Sequence, residues 1–189
     1  MKRLKCRILV FMLAFIASFL LSCGGGGAPD SQLKEALMSL EPRARELYGI
    51  VYGDILPRGD EAEGLYYKVS DNSPYKSVEE LKAAMGEVFT PAYMKVLCNT
   101  AFETVSLDDG TTIHSKFMTK ADGLYVNPSA TEDFGRMRTF DFDSVVVVKK
   151  NPYRATLSVK AAGEDGTIEE LEVNLQKVNG IWLLDSPLF

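Results

Sequence analysis

The chain has 189 residues, of which 21 are Lys or Arg and 26 are Asp or Glu, so its formal net charge is −5. This acidic balance argues against nucleic acid as a partner, because a negatively charged protein is repelled by the phosphate backbone. The three cysteines and the single histidine show no spacing typical of a metal site, so we expect neither a metal nor another cofactor.

The N-terminus has the composition of an export signal. Four of its first seven residues are basic, and residues 8–21 form an apolar run in which only Ser18 is polar. As a helix this run would be roughly 21 Å long, which is shorter than the ~30 Å hydrocarbon core of a bilayer. We therefore predict a cleaved signal peptide over residues 1–22 rather than a helix that spans the membrane.

The apolar run ends in Leu20-Leu21-Ser22-Cys23, which resembles the lipobox of bacterial lipoproteins. The resemblance implies cleavage after Ser22 and attachment of a diacylglyceryl group to the thiol of Cys23. Two or more acyl chains suffice for stable anchoring, so the lipid bilayer is the expected partner of Cys23. The expected location is the cell membrane, on its extracytoplasmic face. An ordinary secretory signal that ends near a cysteine is the alternative.

The predicted mature chain divides into a tether and one domain. Residues 23–30 contain the lipidated cysteine and four consecutive glycines, which are typical of a flexible spacer. Residues 31–189 are long enough for a single domain with its own core. Cleavage removes four basic residues and no acidic one, which leaves 17 basic and 26 acidic residues and a net charge of −9. Cys98 is the one cysteine of this domain, so we expect no internal disulfide.

The first part of the domain has helical periodicity. Apolar residues recur at steps of three and four from Asp30 onward, namely Leu33, Leu37, Leu40, Ala44, Leu47 and Val51. Pro42 interrupts this pattern, which predicts either two helices or one kinked helix. Ser77 and Glu80 form a capping box at the start of a second helix. Thr90-Pro91 then predicts the start of a third.

The remainder of the domain is predicted to form strands. Residues 65–69 are rich in tyrosine, and after Thr104 the apolar period changes to two. Four hairpin-type dipeptides punctuate this part of the chain, namely Asp109-Gly110, Asp122-Gly123, Asp165-Gly166 and Asn179-Gly180. Residues 145–148 are continuously apolar, which is typical of a strand covered on both faces. Helices followed by an antiparallel meander predict an α+β fold, with the helices in the concave side of a curved sheet.

Few residues suggest catalysis. Cys98 and His114 could in principle form a nucleophile and its base, but a small buried thiol and a solvated histidine on a strand over residues 113–117 are the simpler interpretation. Asp141 and Asp143 alternate with phenylalanines, as the outward half of an amphipathic strand does. Six tyrosines could line a cavity, although core and rim packing explains them more simply, and these are Tyr66, Tyr67, Tyr75, Tyr93, Tyr125 and Tyr153. We therefore expect that the chain is not an enzyme.

Five short segments, in order, resemble the bacterial D,L-endopeptidase inhibitor family, often called IseA-like. They are Leu65-Tyr66-Tyr67, Tyr75-Lys76-Ser77-Val78-Glu79-Glu80-Leu81, Val88-Phe89-Thr90-Pro91-Ala92-Tyr93, Asp122-Gly123-Leu124-Tyr125-Val126 and Trp182-Leu183-Leu184-Asp185. The resemblance covers most of residues 45–189. It implies a cystatin-like or nuclear-transport-factor-like fold and a role in blocking cysteine-type D,L-endopeptidases that cut peptidoglycan stem peptides. The studied members are secreted into the wall, so this chain would be a lipid-anchored member.

Two groups of residues are candidates for contact with such a peptidase. Asp122, Gly123 and Tyr125 come from the family resemblance. Asp108, Asp109 and Gly110 are predicted independently, because an exposed acidic glycine turn could enter a cleft. The leading hypothesis is therefore an anchored binding protein that inhibits a wall peptidase. A small-molecule-binding or enzymatic domain that uses the cavity of a cone-shaped sheet is the main alternative, and a purely structural envelope lipoprotein is a third.

Overall fold

The computed structural model describes residues 27–130 and 138–188. The predicted signal peptide over residues 1–22 and the predicted acylation of Cys23 lie outside these residues. In the described part of the chain, three helices and a set of antiparallel strands form an α+β fold, which confirms the predicted fold class. Among the described helices, none combines the length and the apolar character that a bilayer crossing requires.

The elements follow one another in the order that the periodicity predicts, helices first and most strands later. The helices are α1 (Asp30–Val51), α2 (Val78–Gly86) and α3 (Pro91–Phe102), and a 3₁₀ turn covers Pro128–Ala130. The described strands are β1 (Arg58–Glu63), β2 (Tyr66–Val69), β3 (Val105–Ser106), β4 (Thr112–Ile113), β5 (Phe117–Lys120), β6 (Gly123–Val126), β7 (Thr139–Lys150), β8 (Arg154–Ala162), β9 (Ile168–Val178) and β10 (Ile181–Leu184).

Helix α1 runs through Pro42 as one element. A proline inside a helix removes one backbone hydrogen bond and costs about 3 kcal/mol. The face of α1 that packs on the core includes Leu33, Leu37 and Leu47, each at most 1% exposed. Because a fully buried leucine contributes about 1.5–3 kcal/mol, the burial of this face outweighs the cost of the proline. Of the predicted alternatives, the structure has the single helix.

Side chains cap the two shorter helices as predicted. Ser77 Oγ accepts the N–H of Glu80 (3.1 Å), and the Glu80 carboxylate accepts the N–H of Lys76 (2.6 Å), one residue further back than a standard capping box. At α3, Thr90 Oγ1 accepts the N–H of Tyr93 (3.2 Å), and proline occupies the first helical position. Local hydrogen bonds therefore fix where both helices begin.

The strands form two larger sheets and a separate hairpin, rather than one continuous meander. The C-terminal sheet has the order β10-β9-β8-β7, and this part is the predicted meander. The second sheet has the order β1-β2-β6-β5, so the β5–β6 hairpin pairs with strands that precede α2. Strands β3 and β4 pair with each other in a two-stranded sheet. The difference from prediction arises because β6 pairs with β2, about sixty residues earlier in the chain.

Each hairpin-type dipeptide lies at a turn between paired strands. At Asn179-Gly180 both residues have positive φ (51° and 87°), as a two-residue type I′ turn requires. At Asp122-Gly123 the turn is displaced by one residue: Lys120 pairs with Gly123, so Ala121 and Asp122 form the turn. The turn chemistry in the sequence thus locates the hairpins to within one residue.

One core cluster joins the three helices to both larger sheets, with α1 on the inner face of the C-terminal sheet. The predicted alternation of β8 is confirmed, since Ala155, Leu157, Val159 and Ala161 are buried. The prediction that residues 145–148 are covered on both faces is wrong, because Val146 and Val148 are 61% and 57% exposed. Strand β7 is at the edge of its sheet, where α1 packs on one face, and Val145 and Val147 are the half-buried members of the run.

Candidate functional site

The β3–β4 hairpin is exposed along its whole length. All residues from 103 to 114 are exposed to solvent. Three of them carry large apolar side chains, with Val105 and Leu107 each 44% exposed and Ile113 54% exposed. Asp108 and Asp109 form the turn between them. The hairpin therefore presents apolar and acidic groups together on a segment that adds little to the core.

The turn of this hairpin is held by its own hydrogen bonds. Leu107 N–H donates to Thr111 O (2.8 Å), and Gly110 N–H donates to Leu107 O (3.0 Å). Asp109 Oδ1 accepts the N–H of Thr111 (2.8 Å), and this hydrogen bond lowers the pKa of Asp109 from its ordinary value. Gly110 has a φ of 85°, which favours glycine at this position. The turn is thus a defined and negatively charged structure.

The second predicted group lies at the tip of the β5–β6 hairpin. Asp122 Oδ2 is 3.0 Å from Lys68 Nζ and accepts a hydrogen bond from Tyr125 OH at 3.1 Å. The contact with Lys68 lowers the pKa of Asp122, and it raises the pKa of Lys68 in turn. The Tyr125 ring is buried, with Lys120 Nζ 4.6 Å from its centroid. The structure therefore brings Asp122 and Tyr125 together and adds two lysines that sequence reasoning missed.

A shallow cleft of about 390 Å³ opens beside this cluster. Its walls include Lys68, Asp122 and Gly123 from the hairpin side and Tyr75 and Lys76 from the segment before α2. Neither Tyr125 nor the turn at residues 108–110 is part of its lining. The two predicted groups therefore belong to different hairpins, and this cleft does not join them into one site.

Cys98 and His114 occupy different environments. Cys98 is half-buried on α3, in a groove of about 610 Å³ between this helix and the β9–β10 hairpin. Burial raises the pKa of the Cys98 thiol, which disfavours the thiolate that a nucleophile needs. His114 is exposed in the connection between β4 and β5. The strand predicted over residues 113–117 is wrong, because β4 ends at Ile113 and β5 begins at Phe117.

The other acidic candidates lie at the surface. Asp141 and Asp143 are exposed at an irregularity in the pairing of β7 with β8, and Asp143 is 3.7 Å from Lys34 Nζ. Among residues 27–130 and 138–188, no three His, Cys, Asp or Glu side chains gather closely enough to hold a metal ion. The arrangement of these carboxylates fits the solvated strand face that alternation predicts.

The tyrosines do not share one cavity. Tyr66 is buried and donates to Ser115 O (2.9 Å), whereas Tyr93 hydrogen bonds through its hydroxyl to Tyr48 OH. Burial raises the pKa of Tyr93 to about 12. Tyr153 is 69% exposed on a turn of the C-terminal sheet. Core and rim packing, the simpler interpretation, therefore describes these tyrosines.

Lys116 is buried, although lysine side chains are rarely fully buried. It is 1% exposed, and its Nζ donates to Gly53 O in the segment after α1. The partner lies 63 residues away, so no local pattern indicates the contact. Because a buried ammonium needs hydrogen-bond acceptors, this contact ties the start of β5 to the segment after α1.

Comparison with known proteins leaves the family assignment as a prediction. No protein-family model matches the chain, and no curated protein matches it either. The resemblance to the D,L-endopeptidase inhibitor family, including its cystatin-like fold, rests on the five short segments alone. All five segments lie in regular elements or at their starts, namely strand β2, the α2 cap, the α3 cap, strand β6 and strand β10.

Proposed function

We propose that the protein is a lipid-anchored binding protein of the extracytoplasmic face that inhibits a cell-wall D,L-endopeptidase through its β3–β4 hairpin. The observation that carries this proposal is the continuous exposure of residues 103–114, which include three large apolar side chains. Apolar side chains on an exposed hairpin contribute little to folding, whereas they suit a protein interface. Support for export and anchoring comes from the signal-like N-terminus and from Cys23.

The charge of the turn suits the cleft of a cysteine peptidase. Such enzymes activate their thiol with a nearby histidine, so the cleft holds a thiolate–imidazolium pair. The N–H of Thr111 lowers the pKa of the Asp109 carboxyl group, so Asp109 stays charged to a lower pH than an ordinary aspartate. Asp108 and Asp109 at the tip could therefore pair with the imidazolium while Leu107 packs on the wall of the cleft. An inhibitor of this kind acts by occupying the cleft of the peptidase and catalyses no reaction itself.

The Asp122 cluster is a weaker candidate for the same contact. Its carboxylate already pairs with Lys68 and Tyr125 within the protein. A partner would have to compete with these contacts, whereas the carboxylates of the β3–β4 turn face solvent. The hairpin is therefore the part of the molecule to test first.

The chain offers a closely matched control for that test. The β8–β9 turn contains Glu164-Asp165-Gly166-Thr167, against Asp108-Asp109-Gly110-Thr111 in β3–β4. The hydrogen bonds are the same: Gly166 N–H donates to Gly163 O (3.0 Å), and Asp165 Oδ1 accepts the N–H of Thr167 (3.0 Å). The two turns therefore share their charge and geometry and differ in what flanks them.

The experiment measures the release of peptidoglycan fragments by purified D,L-endopeptidases in the presence of the protein recovered from bacterial membranes. Wild type should inhibit. The Asp108→Lys, Asp109→Lys variant should inhibit at least about tenfold less well, because like charges at a docked cleft repel. The Glu164→Lys, Asp165→Lys variant should inhibit as wild type does. Equal inhibition by both variants would show that the hairpin is not the contact, and wild type without effect on any such enzyme would overturn the proposed function.

A further inference from the structure

The first described residues of the chain lie against one end of the C-terminal sheet. A Cβ built on Gly27 would be 3.0 Å from the carbonyl oxygen of Asn151, in the turn between β7 and β8. Lys150 Nζ donates to Ala28 O (3.0 Å) and to Asp30 Oδ1 (2.6 Å) at the start of α1. The segment from Cys23 therefore reaches the domain at the β7–β8 turn.

The β9–β10 turn lies at the same end of this sheet. The N–H of Lys177 donates to Tyr153 O (2.7 Å), and Arg154 is paired with Gln176. Strands β9 and β10 are joined by the exposed residues Asn179 and Gly180. We call residues 148–154 and 177–181 the tether end. It contains two hairpin turns and the place where the chain from Cys23 arrives.

The tether end combines exposed apolar and basic side chains. Tyr153, Ile181 and Val148 are 69%, 65% and 57% exposed. The same segments contain four basic residues, Lys149, Lys150, Arg154 and Lys177, and no acidic residue.

Acidic groups near the tether end are few among the described residues. Asp30 is paired with Lys150, so these two charges offset each other and Lys149, Arg154 and Lys177 account for the positive charge of this face. Glu87 lines the groove beside Ile181 together with Lys95. The β8–β9 turn at the opposite end of the sheet holds Glu164 and Asp165 instead. In a chain whose net charge is −5, the end where the tether arrives thus carries four basic residues and no acidic residue within its two segments.

We propose that the tether end is a membrane-contact face that binds anionic phospholipid headgroups. Basic side chains near a membrane surface are attracted to anionic lipids. Tyrosine is enriched at membrane–water interfaces because its ring is apolar and its hydroxyl is polar, and Tyr153 and Ile181 can enter this layer. Four residue steps separate Cys23 from Gly27 and span at most about 14 Å, so an acylated Cys23 keeps this face close to the bilayer. The proposal rests on the proposed anchoring for that distance.

The test uses the full-length protein recovered from bacterial membranes and returned to vesicles. One set of vesicles is phosphatidylcholine, and the other contains phosphatidylglycerol as well. Hydrogen exchange is then measured at residues 148–154 and 177–181, with the β8–β9 turn at 163–167 as the internal reference and the core of β8 as the check on folding. We expect slower exchange at the tether end in the anionic vesicles and no change at the reference turn.

Two matched variants distinguish the effect of local charge at the tether end from the effect of the net charge of the chain. The Lys149→Glu, Arg154→Glu variant should lose the protection in anionic vesicles, by on the order of tenfold in exchange rate. The Lys82→Glu, Lys160→Glu variant makes the same change in net charge on exposed residues elsewhere and should keep the protection.

The outcomes distinguish this proposal from the proposed anchoring. Equal exchange at the tether end in both kinds of vesicle overturns the membrane-contact face. Protection that also appears in detergent overturns it too, because a contact between two copies of the chain would produce that result. Intact mass reports acylation of Cys23 separately. An acylated protein without the protection overturns this inference alone. An unacylated protein that still shows the protection overturns the lipid anchor at Cys23 and supports the membrane-contact face.

Discussion

Asp122 shows how a carboxylate at a loop tip can be occupied within the protein. It is held by Lys68 at 3.0 Å and by Tyr125 OH at 3.1 Å, although its side chain is 55% exposed. Exposed ion pairs contribute only about 0–1 kcal/mol, because water competes for both charges. These contacts therefore orient the hairpin tip more than they stabilise the fold.

Replacing Lys68 should release the carboxyl group of Asp122. In the Lys68→Met variant we expect the pKa of Asp122 to rise toward the ordinary value of about 3.9, because the largest cause of its lowering is lost. The contribution of this group to stability is present above the ordinary carboxyl pKa and is lost as the pH falls through the lowered one. NMR titration of the Asp122 carboxyl carbon measures the shift.

The matched control for that titration is Lys120→Met. Lys120 lies in the same hairpin but pairs with Glu63, so its loss should leave the pKa of Asp122 low. An unchanged pKa in Lys68→Met would show that the contact between Lys68 and Asp122 does not exist in solution.

Single residues were predictable from the sequence where their surroundings are local. The acidic turn at residues 108–110 is exposed, as its Asp-Gly dipeptide indicates, and its role as a contact stays a prediction. Lys116 is the opposite case, because its ammonium meets Gly53 O across 63 residues. Cys98 is half-buried against the core, close to the buried thiol that the sequence predicts, but the groove beside it depends on the β9–β10 hairpin. Lys68 could not be predicted as a partner of Asp122 for the same reason, since the two residues come together only through the pairing of β2 with β6.

At the scale of elements, helix starts were the most predictable feature. Ser77 and Thr90 each accept an N–H three residues ahead, and sequence shows this spacing directly. Strand β1 was missed because its six residues, Arg-Gly-Asp-Glu-Ala-Glu, are all exposed and contain no apolar alternation. The exposure of Val146 and Val148 was missed because the edge position of β7 depends on the pairing order of the sheet. Local signals thus predict where elements begin, whereas burial on each face depends on long-range pairing.

Thr90 joins a local cap to a long-range contact, which makes it a sensitive position. Its Oγ1 caps α3 and also donates to Asp185 Oδ1, after β10, while its backbone N–H donates to Leu184 O (2.9 Å). Thr90→Ala should lower the free energy of unfolding by about 1–2 kcal/mol, because a cap and a hydrogen bond to a carboxylate are both lost. Urea denaturation measures the change.

Thr90→Ser provides the control for the hydroxyl. It keeps both hydrogen bonds and removes one buried methyl group, so it should retain most of the stability that Thr90→Ala loses. If serine and alanine destabilise the protein equally, packing of the methyl group matters here and the hydroxyl contacts do not.

At the scale of the whole molecule, the distribution of charge matters more than its sum. The acidic total predicts repulsion from anionic membranes, yet the basic residues of the tether end lie together where the chain from Cys23 arrives. The sequence predicted the α+β class and the C-terminal meander from periodicity and turn dipeptides. It did not predict the second sheet, because the pairing of β2 with β6 joins segments on either side of two helices. Pairing between strands far apart in the chain is therefore what the local patterns leave open.

Attachment of the whole molecule to the membrane should depend on Cys23. The apolar run over residues 8–21 is too short to span the bilayer, so acyl chains on this thiol are the expected anchor. In bacterial fractionation, wild type should require detergent for extraction. Cys23→Ser should be absent from that fraction or persist as an uncleaved precursor of higher mass. Cys98→Ser is the matched control, since it replaces the half-buried thiol of α3 and should leave attachment unchanged. Detergent-requiring attachment and an unaltered mass in Cys23→Ser would rule out the lipid anchor.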